Sequence, residues 1–233
     1  MRLEIFDHPS EEIKNRITGS ACAVIDVLRM TSTAVTAFHN GAKGIFMTKE
    51  TDEARKKAAE TKALLGGERG GVKLEGFHFG NSPLEYTKEA VSGKNIVIST
   101  SNGTQAVSLA SSAKRILLAS FLNVSAACRA LSGEENVVIL CVGTKGQFSL
   151  DDALLAGKMA YLLKADSEND LAAALKHLYE SAMTNISALI SESYHYKYLA
   201  SIGFHGDLDY CLREDIIDLC PEMGKDGWFH TMI

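Results

Sequence analysis

The sequence predicts an α/β fold: a Rossmann-like, layered, mostly parallel sheet or pair of sheets with helices on both faces. Two observations predict it. Apolar runs of strand length recur along the chain, each ending in a polar turn and then a helical pattern. Strand-to-helix alternation of this kind is what a parallel sheet needs, because its strands must be joined by crossovers that then cover both faces. The runs are also short and rich in Val, Ile and Leu, as strands buried on both sides are.

The elements follow in order. The first residues read as a short strand running into a turn. Residues 21–27 form an apolar strand, followed by a helix over about 31–40 that closes at Gly41. Residues 44–48 form another strand, and a charged helix runs from 52 to about 65. Strands at 95–100, 115–120 and 136–142 lead into helices from about 103, over about 123–131 and over 149–163. Residues 167–200 read as mainly helical. Farther on, an acidic helix is expected within 207–218, and a last short strand near Cys220.

Between these units, residues 66–86 break the pattern. The stretch is dense in glycine and then carries Ser82 as a helix cap with Pro83 at the first helical position. A long irregular loop inside a compact domain is more often functional than idle. A weak internal repeat flanks it: Thr33-Ala-Val running to Ala42-Lys43 parallels Thr104-Gln-Ala-Val running to Ala113-Lys114. The 233 residues are expected to form one compact α/β unit, with division into two related halves near 66–93 and a cleft between them as an option. The repeat is equally what any two βαβ units would show.

Composition narrows the function. With 24 basic and 29 acidic residues the net charge is −5, and no basic stripe occurs, which speaks against nucleic acid. An anionic ligand must then be held by a local cluster of donors. No apolar run reaches the roughly 18–20 residues that span a bilayer, and the first residues lack the apolar core of a signal peptide, so a cytoplasmic protein without a membrane partner is expected. Five cysteines without a C-x-x-C pair read as reduced, mostly buried thiols. The oligomeric state stays open, a homo-oligomer included.

Ligands of an open parallel sheet gather at the carboxyl ends of the strands, and four turns there are polar. In the first, Asp26 ends a buried strand, where an unpaired carboxylate is costly and a divalent cation would relieve it. Arg29 is a planar fork suited to phosphate, carboxylate or sulfonate. Thr31, Ser32 and Thr33 offer hydroxyls at a helix start. The plainer reading pairs Asp26 with Arg29 and leaves the hydroxyls as caps. The second turn carries Ser101, Asn102, Gly103 and Thr104, where the backbone can approach an anion closely. The third presents Asn123, which also reads as a helix cap. In the fourth, Lys145 is a mobile charge suited to phosphate, while Ser149 and Asp152 are spaced as a capping box. Asp151 or Asp152 would serve as a carboxylate for a metal. Glu68, among glycines, could reach the same cation. His78 is a candidate general acid, although a histidine between Phe77 and Phe79 is more often simply packed. Walker, dinucleotide and nucleophile-elbow motifs do not occur.

Six blocks occur in order: Asp26-Val-Leu-Arg-Met-Thr-Ser-Thr, Gly67-Glu-Arg-Gly, Glu75-Gly-Phe-His-Phe-Gly-Asn-Ser-Pro-Leu-Glu-Tyr, Thr100-Ser-Asn-Gly-Thr, Ser120-Phe-Leu-Asn and Gly143-Thr-Lys-Gly-Gln-Phe-Ser-Leu-Asp-Asp. In these the chain resembles the 2-phosphosulfolactate phosphatase family, from the N-terminus to about Leu163 and more weakly beyond. The resemblance implies a magnesium-dependent acid phosphatase that converts 2-phospho-3-sulfolactate to 3-sulfolactate, a step of coenzyme M biosynthesis in methanogens. On this reading magnesium is expected between Asp26, Glu68 and Asp152. Arg29 with the 31–33 turn would hold one anionic group of the substrate. The 101–104 turn, Asn81 beside Ser82, and Lys145 would hold the others, with Asn123 nearby. Asp26, Arg29 and Lys145 are the expected catalytic residues. A phosphatase of broader specificity for 2-hydroxy acid phosphates, a non-catalytic module for acidic metabolites and a nucleotide-dependent oxidoreductase are the alternatives.

Overall fold

The computed structural model describes residues 1–231. The chain runs β1 (Arg2–Phe6), α1 (Lys14–Ile17), β2 (Ala21–Ile25), α2 (Met30–His39), β3 (Gly44–Met47), α3 (Thr51–Thr61), β4 (Leu64–Arg69) and β5 (Val72–Lys73). It continues through α4 (Lys88–Val91), β6 (Asn95–Ser99), α5 (Gly103–Leu109), β7 (Arg115–Ala119), α6 (Val124–Leu131), β8 (Asn136–Cys141) and α7 (Leu150–Leu163). It ends with β9 (Asp166–Ser167), α8 (Asp170–Ala182), α9 (Ile186–Ser191), α10 (Tyr194–Ser201), α11 (His205–Cys211), β10 (Pro221–Met223) and β11 (Phe229–Thr231).

The strands form one mixed, mostly parallel sheet in the order β5-β4-β6-β3-β11-β10-β7-β2-β8-β1-β9. Two parallel blocks, β4-β6-β3 and β7-β2-β8-β1-β9, flank the antiparallel hairpin β10–β11. The hairpin pairs with β7 through Glu222 opposite Leu117, and with β3 through Phe229 opposite Ile45. The two similar units seen in sequence do not fill separate blocks. The β2–α2–β3 unit starts in one block and ends in the other, and β6–α5–β7 returns.

Burial explains the layering. Every residue of β2 is buried. Ala21, Ala23 and Ile25 face a core shared with α6 and α7, whereas Cys22 and Val24 face one shared with α2 and α5. The side-chain period of a strand is two, so a strand apolar at every position must be covered on both sides. The sheet's outer edges, β5 and β9, are two-residue strands that carry Lys73 and Asp166, which blunts them against edge pairing.

Two expectations change. The helix expected over 52–65 stops at Thr61, because Lys62 turns left-handed and Leu64-Leu65 pair with Ile96-Val97 of β6. The acidic helix expected within 207–218 is only the seven-residue α11, which starts at His205 and ends at Cys211, and 212–220 runs without regular structure to β10. In both places tertiary pairing outweighs local propensity.

Helices α7 and α8 approach each other at Gly157, where a Cβ would lie 2.1 Å from the carbonyl oxygen of Leu175. Backbone cannot yield there, so Gly157→Ala should force the helices apart and cost roughly 1–3 kcal/mol, read as a lower midpoint in chemical denaturation.

Candidate active site

A cavity of about 280 Å³ opens at the carboxyl ends of β2, β4, β6 and β8. Asp26 enters it from β2, Glu68 from β4, and Ser101 and Asn102 from the β6–α5 turn. Asn81 comes from the central loop and Lys145 from the β8–α7 turn. Helix α10 closes the cavity with Tyr194, His195, Tyr198 and Leu199.

Arg29 also lines the cavity, yet its charge is already matched. Its Nη1 donates to Oδ2 of Asp207 at 2.5 Å, and the two side chains are only 2% and 4% exposed. Its Nη2 donates to the carbonyl of Gly71 at 3.2 Å, and its guanidinium lies 3.9 Å from the centre of the Phe204 ring. The other Asp207 oxygen accepts the Ser82 hydroxyl at 2.6 Å. Arg29 therefore pairs with the C-terminal segment and not with Asp26.

The hydroxyls expected to hold an anion are committed elsewhere. Thr31 donates to the Asp26 carbonyl at 2.8 Å, Ser32 to the Val27 carbonyl at 2.8 Å, and Thr33 to the Asn81 carbonyl at 2.8 Å. All three are fully buried and lie outside the cavity wall. They clasp the first turn of α2 to its surroundings, so the expected anion turn is a structural clasp. Thr104 donates to the Thr100 carbonyl at 3.2 Å and also lies outside the wall. Asn123 caps its turn, accepting the Ser120 amide at 2.9 Å and donating to the Leu219 carbonyl at 3.0 Å. His78 accepts the Leu65 amide at Nδ1, 2.9 Å away, and is not part of the cavity. Gly103 does stand at the site from behind: a Cβ there would lie 2.9 Å from Asp26 Oδ2.

The acidic groups divide in two. Asp152 accepts the Val27 amide at 2.9 Å on one oxygen and the Gly143 amide at 3.0 Å on the other. It thereby ties the ends of β2 and β8 to the start of α7, and it does not line the cavity. Glu68 accepts the Ser101 amide at 2.8 Å and the Gly71 amide at 2.6 Å. The expected triad of Asp26, Glu68 and Asp152 thus does not gather as one cluster, and no group of three acidic, His or Cys ligands exists among the described residues. Asp26 forms no ion pair among the described residues, although the Met30 amide and the Arg29 charge favour its ionised form. Burial, with the Asp151 charge adding to it, pushes its pKa up to about 7, and Glu68 acts in the same direction. Two further oxygens on the wall, Asn81 Oδ1 and Thr100 Oγ1, are buried without a partner among the described residues. They are acceptors waiting for a donor or a cation.

Sequence reasoning missed α10. Lys145 Nζ donates to Tyr194 Oη at 3.2 Å, and Tyr198 Oη donates to the Gly70 carbonyl at 2.8 Å. His195 sits between these two tyrosines, and burial lowers its pKa against the pull of Asp151. The only hint in sequence was the density of polar aromatics in Tyr194-His-Tyr-Lys-Tyr198 within a chain of 7% aromatic residues.

An α/β sheet with a polar cavity at its strand ends, walled by carboxylates, amides and a lysine, belongs to the class of enzymes that handle small acidic molecules. The sequence matches the family described as 2-phosphosulpholactate phosphatase over residues 7–226. A protein of Caldicellulosiruptor saccharolyticus is 41% identical, with 95% of this chain and 96% of that protein aligned. One of Thermotoga petrophila is 45% identical over 86% and 87%, and one of Clostridium perfringens 41% identical over 100% and 97%. Each is named a probable 2-phosphosulfolactate phosphatase. The chain belongs to this family.

Two measurements test the site's electrostatics. Asp26 holds its proton more tightly in the fold than in the unfolded chain, where it titrates near 3.8. The cost of ionising it is absent below that pH, grows as pH rises, and is complete above about 7. With EDTA present, wild type should lose thermal stability relative to Asp26→Asn across that window; parallel curves would show the carboxylate to be compensated. Asp207→Ala leaves the Arg29 guanidinium buried and unpaired, and should cost about 3–5 kcal/mol in denaturant unfolding.

Proposed function

We propose that this protein is a magnesium-dependent phosphatase that hydrolyses 2-phospho-3-sulfolactate to 3-sulfolactate and phosphate. Family membership supports the reaction, and the charge balance of the cavity supports the cation. With Arg29 matched by Asp207, the wall carries Asp26 and Glu68 against Lys145, and Asp151 acts from behind. A substrate with phosphate, carboxylate and sulfonate groups would be repelled from such a site unless a cation were added. The donor set fits magnesium, which takes one or two carboxylates and keeps several waters. Asp26 and Glu68 would hold it as carboxylates and Asn81 Oδ1 as a neutral oxygen. Asp152, which lies outside the cavity wall, positions the Asp26 turn through the Val27 amide instead. When bound, the cation neutralises charge on the phosphoryl oxygens.

The chain's own groups do the rest. Lys145 offers the substrate its ammonium group, steadied by Tyr194. Ser101 and Asn102 offer polar contacts on the β6 side of the cavity, and Arg29 holds the floor rigid through Asp207. Tyr198 and Leu199 cover the cavity and limit water around the phosphoryl group. The five free cysteines, four of them buried, fit a reducing compartment such as the cytoplasm.

Phosphate release from 2-phosphosulfolactate and from 2-phospholactate, each with magnesium or EDTA, tests the reading. Release should require magnesium and be faster with the sulfonate, and Asp26→Asn should lower kcat roughly 100-fold or more. Equal rates on both substrates would favour a broader phosphatase of 2-hydroxy acid phosphates. No release with any divalent cation would sink the enzyme reading and leave a binding module.

A further inference from the structure

We propose that His195 is the general acid that protonates the leaving oxygen of the substrate. The inference rests on the phosphatase reading above, since it concerns how the phosphate ester is broken. Hydrolysis releases the C2 alkoxide of a hydroxy acid, a poor leaving group that needs a proton as the P–O bond breaks.

Few groups on the cavity wall can give one. Tyr198 donates its hydroxyl proton to the Gly70 carbonyl, Thr144 donates to Ser149, and the Ser101 hydroxyl points to Glu68. Tyr194 accepts from Lys145 and keeps its own hydroxyl proton, but a phenol is intrinsically a far weaker acid than an imidazolium. His195 makes no side-chain hydrogen bond among the described residues; only burial and the charges of Asp151, Arg29, Glu68 and Lys145 act on it. Its ring is therefore uncommitted, whereas the hydroxyls of Tyr198, Thr144 and Ser101 already have acceptors.

Its position also suits a proton carrier. His195 lines both the cavity of about 280 Å³ and an adjoining groove of about 370 Å³ bounded by Phe148 and Ser193, and so stands, with Thr144, Lys145 and Tyr194, between the two spaces. Its helix is held firmly: Ser193 caps α10 by accepting the Tyr196 amide at 3.1 Å, and Leu199 is buried in the core. The latches at Tyr194 and Tyr198 fix α10 on either side of His195.

The step balances. The bond between phosphorus and the C2 oxygen breaks and its electron pair stays on that oxygen. The proton of the imidazolium, the form that burial disfavours and the charges of Asp151 and Glu68 favour, goes to it, giving the free hydroxy acid. One water is consumed overall: its oxygen ends on phosphorus, and one of its protons makes good the one the imidazolium gave up, through solvent in the adjoining groove.

The test uses two substrates of one shape: 2-phosphosulfolactate and its analogue with sulfur in place of the C2 bridging oxygen, whose thiolate leaves without protonation. His195→Asn should lower kcat on the oxygen ester about 100-fold or more and on the sulfur analogue by less than about fivefold. His195→Gln, assayed beside it with thermal melts of both variants, guards against a variant that does not fold. A folded variant that loses both substrates equally, or that keeps the oxygen ester within about tenfold of wild type, overturns the assignment. Absence of turnover by the wild-type enzyme on the oxygen ester would instead overturn the phosphatase reading itself.

Discussion

The buried pair between Arg29 and Asp207 holds the active end of the molecule together. Arg29 stands just before α2 in the turn that follows β2, and Asp207 lies near the other end of the chain in α11. Around them meet Ser82 from the central loop, the carbonyl of Gly71 from the β4–β5 turn, and the face of Phe204. Taking two charges out of water is expensive, and it is offset only when geometry is good and the remaining donors and acceptors are filled. Here both carboxylate oxygens and both guanidinium Nη groups have partners. The cavity's floor is therefore set by one charge pair that draws in four distant segments.

The same economy governs the carboxylates. Asp151 and Asp152 are neighbours at the start of α7, yet a helix turns about 100° per residue, so they face different ways. Asp152 is saturated by two backbone amides and joins the ends of β2 and β8. Glu68 is similarly held by the amides of Ser101 and Gly71, which joins the ends of β4 and β6. Asp26, between them, has the Met30 amide and the Arg29 charge in its favour, yet burial and the charges of Asp151 and Glu68 outweigh them, and burial pushes Asp152 up in the same way. That imbalance is the ground on which a cation, and through it a multiply charged anion, is proposed for the site.

Much of this was legible in the residues. The five strand–helix units, the layered parallel architecture and the strand-end turns follow from periodicity and composition, because a buried strand must be apolar throughout and its ligand turn must be polar. Asp26, Asn81, Ser101, Asn102, Lys145 and Glu68 do line one cavity. Thr31, Ser32, Thr33, Thr104 and Asn123 do not, although they sit in the same turns. A hydroxyl or amide at a helix start serves a cap as well as it serves a ligand, and sequence spacing cannot distinguish the two.

By itself the sequence determined the fold class, the polar turns and the family, since each is written in local pattern and in ordered motifs. Only the tertiary structure decided which carboxylates burial pushes up, that Arg29 answers to Asp207, and that α10 brings His195 to the cavity wall. The physical reason is common to all three. Each is settled by pairing between segments far apart in the chain, Arg29 and Asp207 being 178 residues apart, and the free energy of such pairing depends on burial and distance that no local stretch of sequence encodes.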